Sequence, residues 1–232
     1  MSIAENYQSI LNRKNEAALR SGREPEEVLL MVVTKTHSAE EINEAIDAGA
    51  TDIGENKVQE ILEKYDKVKP VKWHMIGHLQ TNKVKSIIDK VDMIHSVDSL
   101  KLAKEIDKRA AAAGLVMDVL LQVNIANEES KTGAGVDELE SLIEGIAGGC
   151  TNVRIRGLMC VPPAGDTPEA ARPYLAHARE LWNKMRTFEY DETLYRPDVL
   201  SMGMSGDFEV AIEEGSTVVR VGSSIMGRRN YR

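Results

Sequence analysis

Along this chain, short apolar runs alternate with longer stretches of helical periodicity. Residues 29–33 read Leu-Leu-Met-Val-Val and then turn polar at Thr34-Lys35-Thr36-His37. An unbroken apolar run of this length predicts a strand buried on both faces. Before it, Ile3, Tyr7, Ile10, Leu11 and Ala18 share one face of a helix predicted over 2–21, with Gly22 as its C-cap. After it, Ser38 and Glu41 form a capping box for a helix over 40–48, stopped by Gly49. Further strands are predicted at 51–55, 71–77, 93–97, 117–124, 153–159, 199–204 and 217–221. The segments between them read as helices at 57–65, 81–88, 99–113, 136–146, 168–188 and 207–214. Pro173 blemishes the sixth of these intervening segments, counting from 40–48, and implies a kink or a later start.

Eight strands alternating with helices predict a parallel sheet. Eight in this length predict a (β/α)8 barrel of TIM type, one domain over 1–232, with a doubly wound open sheet as the alternative. Composition narrows the partners. Of 232 residues, 29 are basic and 37 acidic, a net charge of -8. That argues against nucleic acid or an anionic membrane as main partner, while leaving room for a local basic pocket. The two cysteines, Cys150 and Cys160, have no ligand spacing, so neither zinc nor a disulfide framework is expected. The first 22 residues carry charges throughout and no apolar run reaches membrane-spanning length, so the expected setting is the cytoplasm.

In a barrel every strand end opens on one mouth, and there Lys35, Asn56, His74, Gly77, Asn124, Met159, Met204-Ser205 and Gly222-Ser223 would gather. A lysine over an apolar floor is pushed toward its neutral amine, a nucleophile that forms Schiff bases with carbonyl compounds. The plainer alternative is a lysine that snorkels into water. Gly203-Met204-Ser205-Gly206 and Gly222-Ser223-Ser224 follow strands seven and eight, where barrels often hold phosphate. Arg220 sits inside strand eight, on the side of Gly222 by alternation. It either ends an ion-pair network or faces a ligand, since a buried charge needs a partner. Lysine, phosphate cradle and arginine together suit pyridoxal 5'-phosphate (PLP), and also a Schiff-base aldolase acting on a phosphosugar. Trp73 and Trp182 are expected in the core, and Glu40, Glu41, Glu44 and Asp47 on a solvated helix face.

At these residues the chain resembles the pyridoxal phosphate homeostasis proteins, over nearly its whole length. The resemblance is carried by Lys35, Gly54-Glu55-Asn56, the run from Trp73 to Lys83, Glu129-Ser130-Lys131-Thr132-Gly133, Gly157-Leu158-Met159, Leu200 to Ser205, and Val219-Arg220-Val221-Gly222. It implies a fold-type III PLP barrel like the N-terminal domain of alanine racemase. It implies that Lys35 carries PLP as an internal aldimine and that Arg220 faces the pyridine nitrogen. By the same resemblance Ser205, Gly222 and Ser223 contact the phosphate, and Asn56 and Met204 neighbour the cofactor. Ser223 stands where the family usually has threonine, which keeps the hydroxyl. His74, Lys83 and Lys131 match the family without an assigned role, and a second PLP site at Lys131 is left open. An arginine, always protonated, would keep the ring nitrogen unprotonated and the ring a weak electron sink. Racemases of this fold add a tyrosine from another domain, which this chain is not expected to supply. The expected function is therefore PLP homeostasis, by buffering or by delivery to apo PLP enzymes, in a monomer without strong turnover. The alternative is an amino-acid racemase.

Overall fold

The computed structural model describes residues 2–128 and 132–227. The Glu129, Ser130 and Lys131 positions, including the site left open at Lys131, lie outside the described residues. Eight strands close into a barrel in sequence order: β1 (Leu29–Val33), β2 (Asp52–Glu55), β3 (Lys72–Met75), β4 (Met93–Val97), β5 (Met117–Val123), β6 (Val153–Cys160), β7 (Tyr195–Ser201) and β8 (Val218–Val221). All neighbouring pairs are parallel, and β8 returns to β1 with Met31 opposite Arg220 and Val32 opposite Val221. The barrel, rather than the open sheet, is the architecture.

The helices are α1 (Ile3–Arg20), α2 (Ala39–Asp47), α3 (Val58–Lys64), α4 (Leu100–Ala113), α5 (Leu139–Gly149), α6 (Arg172–Met185), α7 (Phe208–Glu213) and a four-residue α8 (Ser223–Met226). Ser2 with Glu5, and Ser38 with Glu41, form reciprocal capping boxes, so both helices start where their polar signals place them. Apolar faces of the helices and the outward residues of the strands make one continuous core, among them Ile42, Ile53, Ile61, Ile106, Leu175 and Phe208. Trp73 and Trp182 lie in that core. A second cluster, Met93, Leu120 and Met159, is built from strand residues alone and fills part of the barrel interior.

Four elements differ from the sequence reading. Residues Thr81–Ser86 form a 3-10 helix, tighter than the expected α-helix. A 3-10 turn at Pro168–Ala171 precedes α6, which places Pro173 in the first turn, where its missing N–H leaves no bond unmade. The strand expected at 199–204 begins earlier, at Tyr195, because Arg196, Pro197 and Asp198 hide it. The register jumps from Ile155 opposite Tyr195 to Gly157 opposite Val199, so the proline falls in an irregular stretch of the ladder. The short α8 directly after β8 was not expected at all.

A close backbone approach shapes the mouth beside β3. A Cβ at Gly77 would collide with the backbone of Asn56. Gly77→Ala is expected to destabilise the fold by about 1–3 kcal/mol through forced backbone displacement. Urea denaturation of the two proteins measures the difference.

Candidate functional site at the barrel mouth

At the C-terminal ends of the strands lies a cavity of about 290 Å³. Lys35, Asn56, Met204, Ser205, Arg220, Gly222 and Ser223 all line it, together with Val33, His37, Ile76, Val161, Gly206 and Gly227. The strand order explains the gathering, because closure sets the loop after β1 beside the loops after β7 and β8. Four rim candidates are not in the lining. His74 points into the barrel, bonded to His95 and Asp52. Met159 is packed in the interior cluster. Asn124 closes its own loop through Glu128, and Gly77 lies against Asn56.

Lys35 stands two residues beyond β1 and is half-buried, not on the strand or fully enclosed. Its neighbour Thr36 has φ 68°, a left-handed conformation that a β-branched residue adopts only under strain. The surroundings hold that turn from behind. The Thr36 N–H donates to Glu60 Oε2 at 2.6 Å, and Lys64 Nζ donates to the same oxygen at 2.7 Å. Lys64 also donates to Glu55 Oε1 at 2.8 Å and to the Thr34 carbonyl at 3.2 Å. The Thr34 hydroxyl completes the brace by donating to Glu55 Oε1 at 2.8 Å. Burial pushes the Glu55 carboxyl up, although Lys64 and Thr34 pull against it. For Glu60 burial also pushes upward, but the bonds from Lys64 and Thr36 outweigh it and hold the carboxyl below its usual range. Glu55 is thus the buried anchor within the Gly54-Glu55-Asn56 segment, between β2 and α3.

The two glycine-serine loops meet on the opposite side of the cavity. The Gly222 N–H donates to Ser205 Oγ at 3.2 Å, which ties the loops together. Among the described residues, the N–H groups of Ser205, Gly206, Ser223 and Ser224 meet no acceptor. Donors grouped in this way form a nest for an anion. The expected dipole of the 207–214 helix contributes less than its sequence suggests. α7 has only six residues, and Asp207 Oδ1 already takes the Met204 N–H at 2.6 Å. Met204 itself is 37 % exposed at the rim.

Arg220 is 4 % exposed, and its guanidinium is fixed at two points. Nη1 donates to Ser201 Oγ at 2.7 Å and Nη2 to the Cys160 carbonyl at 2.8 Å. That leaves further N–H donors on a side chain that lines the cavity. Cys160 is no nucleophile here, since burial pushes its thiol up to about 12. Among the described residues no cluster could hold a metal ion.

Sequence reasoning singled out Lys35, Asn56, Met204, Ser205, Arg220, Gly222 and Ser223 among the lining residues, not His37, Ile76, Val161 or Gly227, and it missed those that hold them: Glu55 as an anchor, Glu60, Lys64, Ser201 and His95. Each pair is joined across different elements, so spacing carries no sign of it, except that Glu60 and Lys64 stand four apart on α3. Glu60→Gln tests the brace. Its carboxyl is depressed in the folded protein, so its contribution is present above the unfolded value, about 4.3, and is lost as pH falls through the folded value. At pH 7 the variant is expected to lose about 2 kcal/mol, and the gap to the parent closes as pH falls from the unfolded value through the lower folded one. Urea melts between pH 3 and 7 show it.

Three comparisons bear on the site. The family model described as alanine racemase, N-terminal domain, matches residues 11–230. The pyridoxal phosphate homeostasis protein of Aquifex aeolicus is 44 % identical over 233 residues, covering 100 % of both chains. Among solved structures, PipY of Synechococcus elongatus PCC7942 with PLP bound is 34 % identical with a TM-score of 0.79, covering 97 % of this chain and 100 % of that one. Alanine racemase from Corynebacterium glutamicum, at 15 % identity and TM-score 0.64 over 94 % of this chain and 60 % of that one, shares the fold. The chain belongs to the pyridoxal phosphate homeostasis protein family, built on the barrel of the alanine racemase N-terminal domain.

Proposed function

We propose that this protein binds PLP in the cavity at the barrel mouth and serves intracellular PLP homeostasis, by buffering the cofactor or delivering it. One observation carries the reading. A lysine amine, a buried guanidinium and a cluster of N–H donors without acceptors line a single cavity of about 290 Å³. This donor set fits an aldehyde, a ring nitrogen and a phosphate. When bound, PLP supplies an aldehyde that condenses with an amine to a Schiff base with loss of water, and a pyridine ring conjugated to it.

The residues divide the work. Lys35 would hold the aldehyde carbon through Nζ. The loop N–H groups at Ser205, Gly206 and Ser223, with the two serine hydroxyls, would take the phosphate. Gly222 lets the backbone come close, since a Cβ there would press on Val33 at 3.2 Å. Asn56 and Met204 would flank the ring. Arg220 would donate to the ring nitrogen and keep a proton off it, which weakens the ring as an electron sink and supports storage over turnover. A monomer is the proposed state. No described helix is long and apolar enough to cross a membrane; the cytoplasm is the proposed setting. Apo PLP enzymes are the proposed recipients.

Purified protein incubated with PLP is expected to keep a visible absorbance band after desalting, and borohydride should fix the label on the peptide containing Lys35. In Lys35→Ala the retained band should vanish. With amino acids in D2O, α-proton exchange should stay at the rate of free PLP. Exchange far above that rate would replace the homeostasis reading with a racemase, and a protein that retains no band would end it.

A further inference from the structure

Behind Arg220, four polar side chains outside the cavity lining run in single file through the barrel. They are Ser201 at the end of β7, His95 on β4, His74 on β3 and Asp52 at the start of β2, all buried. Barrel interiors are usually filled by branched apolar residues, so a polar file across one is costly unless each member is satisfied. Here each is. Arg220 Nη1 stands 2.7 Å from Ser201 Oγ, Ser201 Oγ 3.2 Å from His95 Nδ1, His95 Nε2 3.0 Å from His74 Nδ1, and His74 Nε2 2.8 Å from Asp52 Oδ1. Asp52 Oδ2 accepts from the Thr51 hydroxyl at 2.7 Å.

The chemistry of the two ends sets the direction of every bond. Asp52 is a carboxylate: burial pushes its pKa up, but the bonds from His74 and Thr51 and the charge of Lys72 bring it below its ordinary value. Full burial, with the Arg220 charge beside it, pushes His95 far below the usual histidine value, so its ring is neutral and carries one N–H. If that N–H were on Nδ1, Ser201 Oγ would receive it and Arg220 together, and the serine hydrogen would lose its acceptor in the file. With the hydrogen on Nε2, the file is complete. Arg220 donates to Ser201, Ser201 to His95, His95 to His74 and His74 to Asp52. Both histidines are then neutral Nε2–H tautomers.

We propose that Ser201, His95, His74 and Asp52 form a one-way hydrogen-bond chain that positions the Arg220 guanidinium in the cavity and ties it to a carboxylate at the far end of the barrel. His95 and Asp52 are thereby positioning residues for the arginine that meets the ring nitrogen. The chain rests on the PLP reading only for what Arg220 touches, and its own geometry is present without cofactor. A guanidinium held by a single proton arrangement presents its remaining donors in one orientation. A change at Asp52 alters the polarity of every bond up to Arg220, although Asp52 does not line the cavity. Asp207 is a second charge close enough to act on Arg220, but it lies on the mouth side.

Two measurements decide this. Nitrogen-15 spectra of the whole protein without PLP should show His74 and His95 as neutral Nε2–H rings. An imidazolium or an Nδ1–H tautomer at either position overturns the chain. In the PLP-loaded protein, Asp52→Asn and Ser201→Ala should each move the visible band and speed cofactor release about tenfold, as for one lost charge-assisted bond. Ser201→Ala removes a single oxygen and serves if the Asp52 variant fails to fold. Folded variants with a lower melting temperature but the parental band and release rate would make the chain merely structural and overturn the proposal. If the parent protein takes up no PLP, the functional reading fails while the tautomer measurement still judges the chain.

Discussion

The pairing of β1 with β8 is the constraint on which the rest depends. Four residue pairs, from Leu29 opposite Val218 to Val32 opposite Val221, close the sheet on itself. Closure removes both sheet edges, and it also sets the first and last strands of the chain side by side. The lysine after β1 and the arginine and glycine-serine loop of β8 are distant in sequence, yet they line one cavity only because of this seam. Gly222 marks how tight the seam is, since Val33 occupies the space a side chain would need. Any residue that widened the seam would act on the site before it acted on the fold.

Much of this was legible in the sequence. Parallel strands buried on both faces are apolar runs, and β1 and the Val119-Leu120-Leu121 core of β5 stood out for that reason. β7 was placed four residues late because Arg196 and Asp198 are polar and Pro197 argues against a strand. In the barrel Asp198 pairs with its strand neighbour Arg196 and with Arg156 on β6, which bridges it to Asp118 on β5. The cavity residues were legible because they cluster at strand ends. Their supports were not. His74 was seen in its motif, but its partners His95 and Asp52 lie on other strands, and only the side-by-side pairing of β2, β3 and β4 brings them within 3.0 Å. The glycine-serine loops were singled out for a partly different reason. The helix after β7 has only six residues, and the donor cluster there is made instead by the N–H groups of two joined loops.

Two supports of opposite geometry hold the site. Behind Lys35 the brace runs outward, into the layer between β2 and α3, and it uses a buried lysine between two carboxylates. Behind Arg220 the chain runs inward, along the barrel interior, and it uses neutral rings between a guanidinium and a carboxylate. Both place charge where the surroundings are poor in water, and an apolar interior of the same volume would often be as stable or more so. Stability alone therefore does not account for them. What they share is that each ends on a group at the cavity.

The difference between the two supports follows from what each must hold. The lysine stands beside a strained Thr36, and strain of about 1–3 kcal/mol persists only where surrounding bonds over-determine it. Several short charge-assisted bonds converging on one turn supply that restraint. The arginine needs no strain, since its backbone lies in a regular strand. It needs an orientation, because a planar guanidinium can rotate its donors away from a ring nitrogen while keeping its charge. A file of single hydrogen bonds is weak against displacement but specific about direction, which suits that task. The cavity thus combines a lysine restrained in position with an arginine restrained in aspect, and both restraints are supplied by residues that line no part of it.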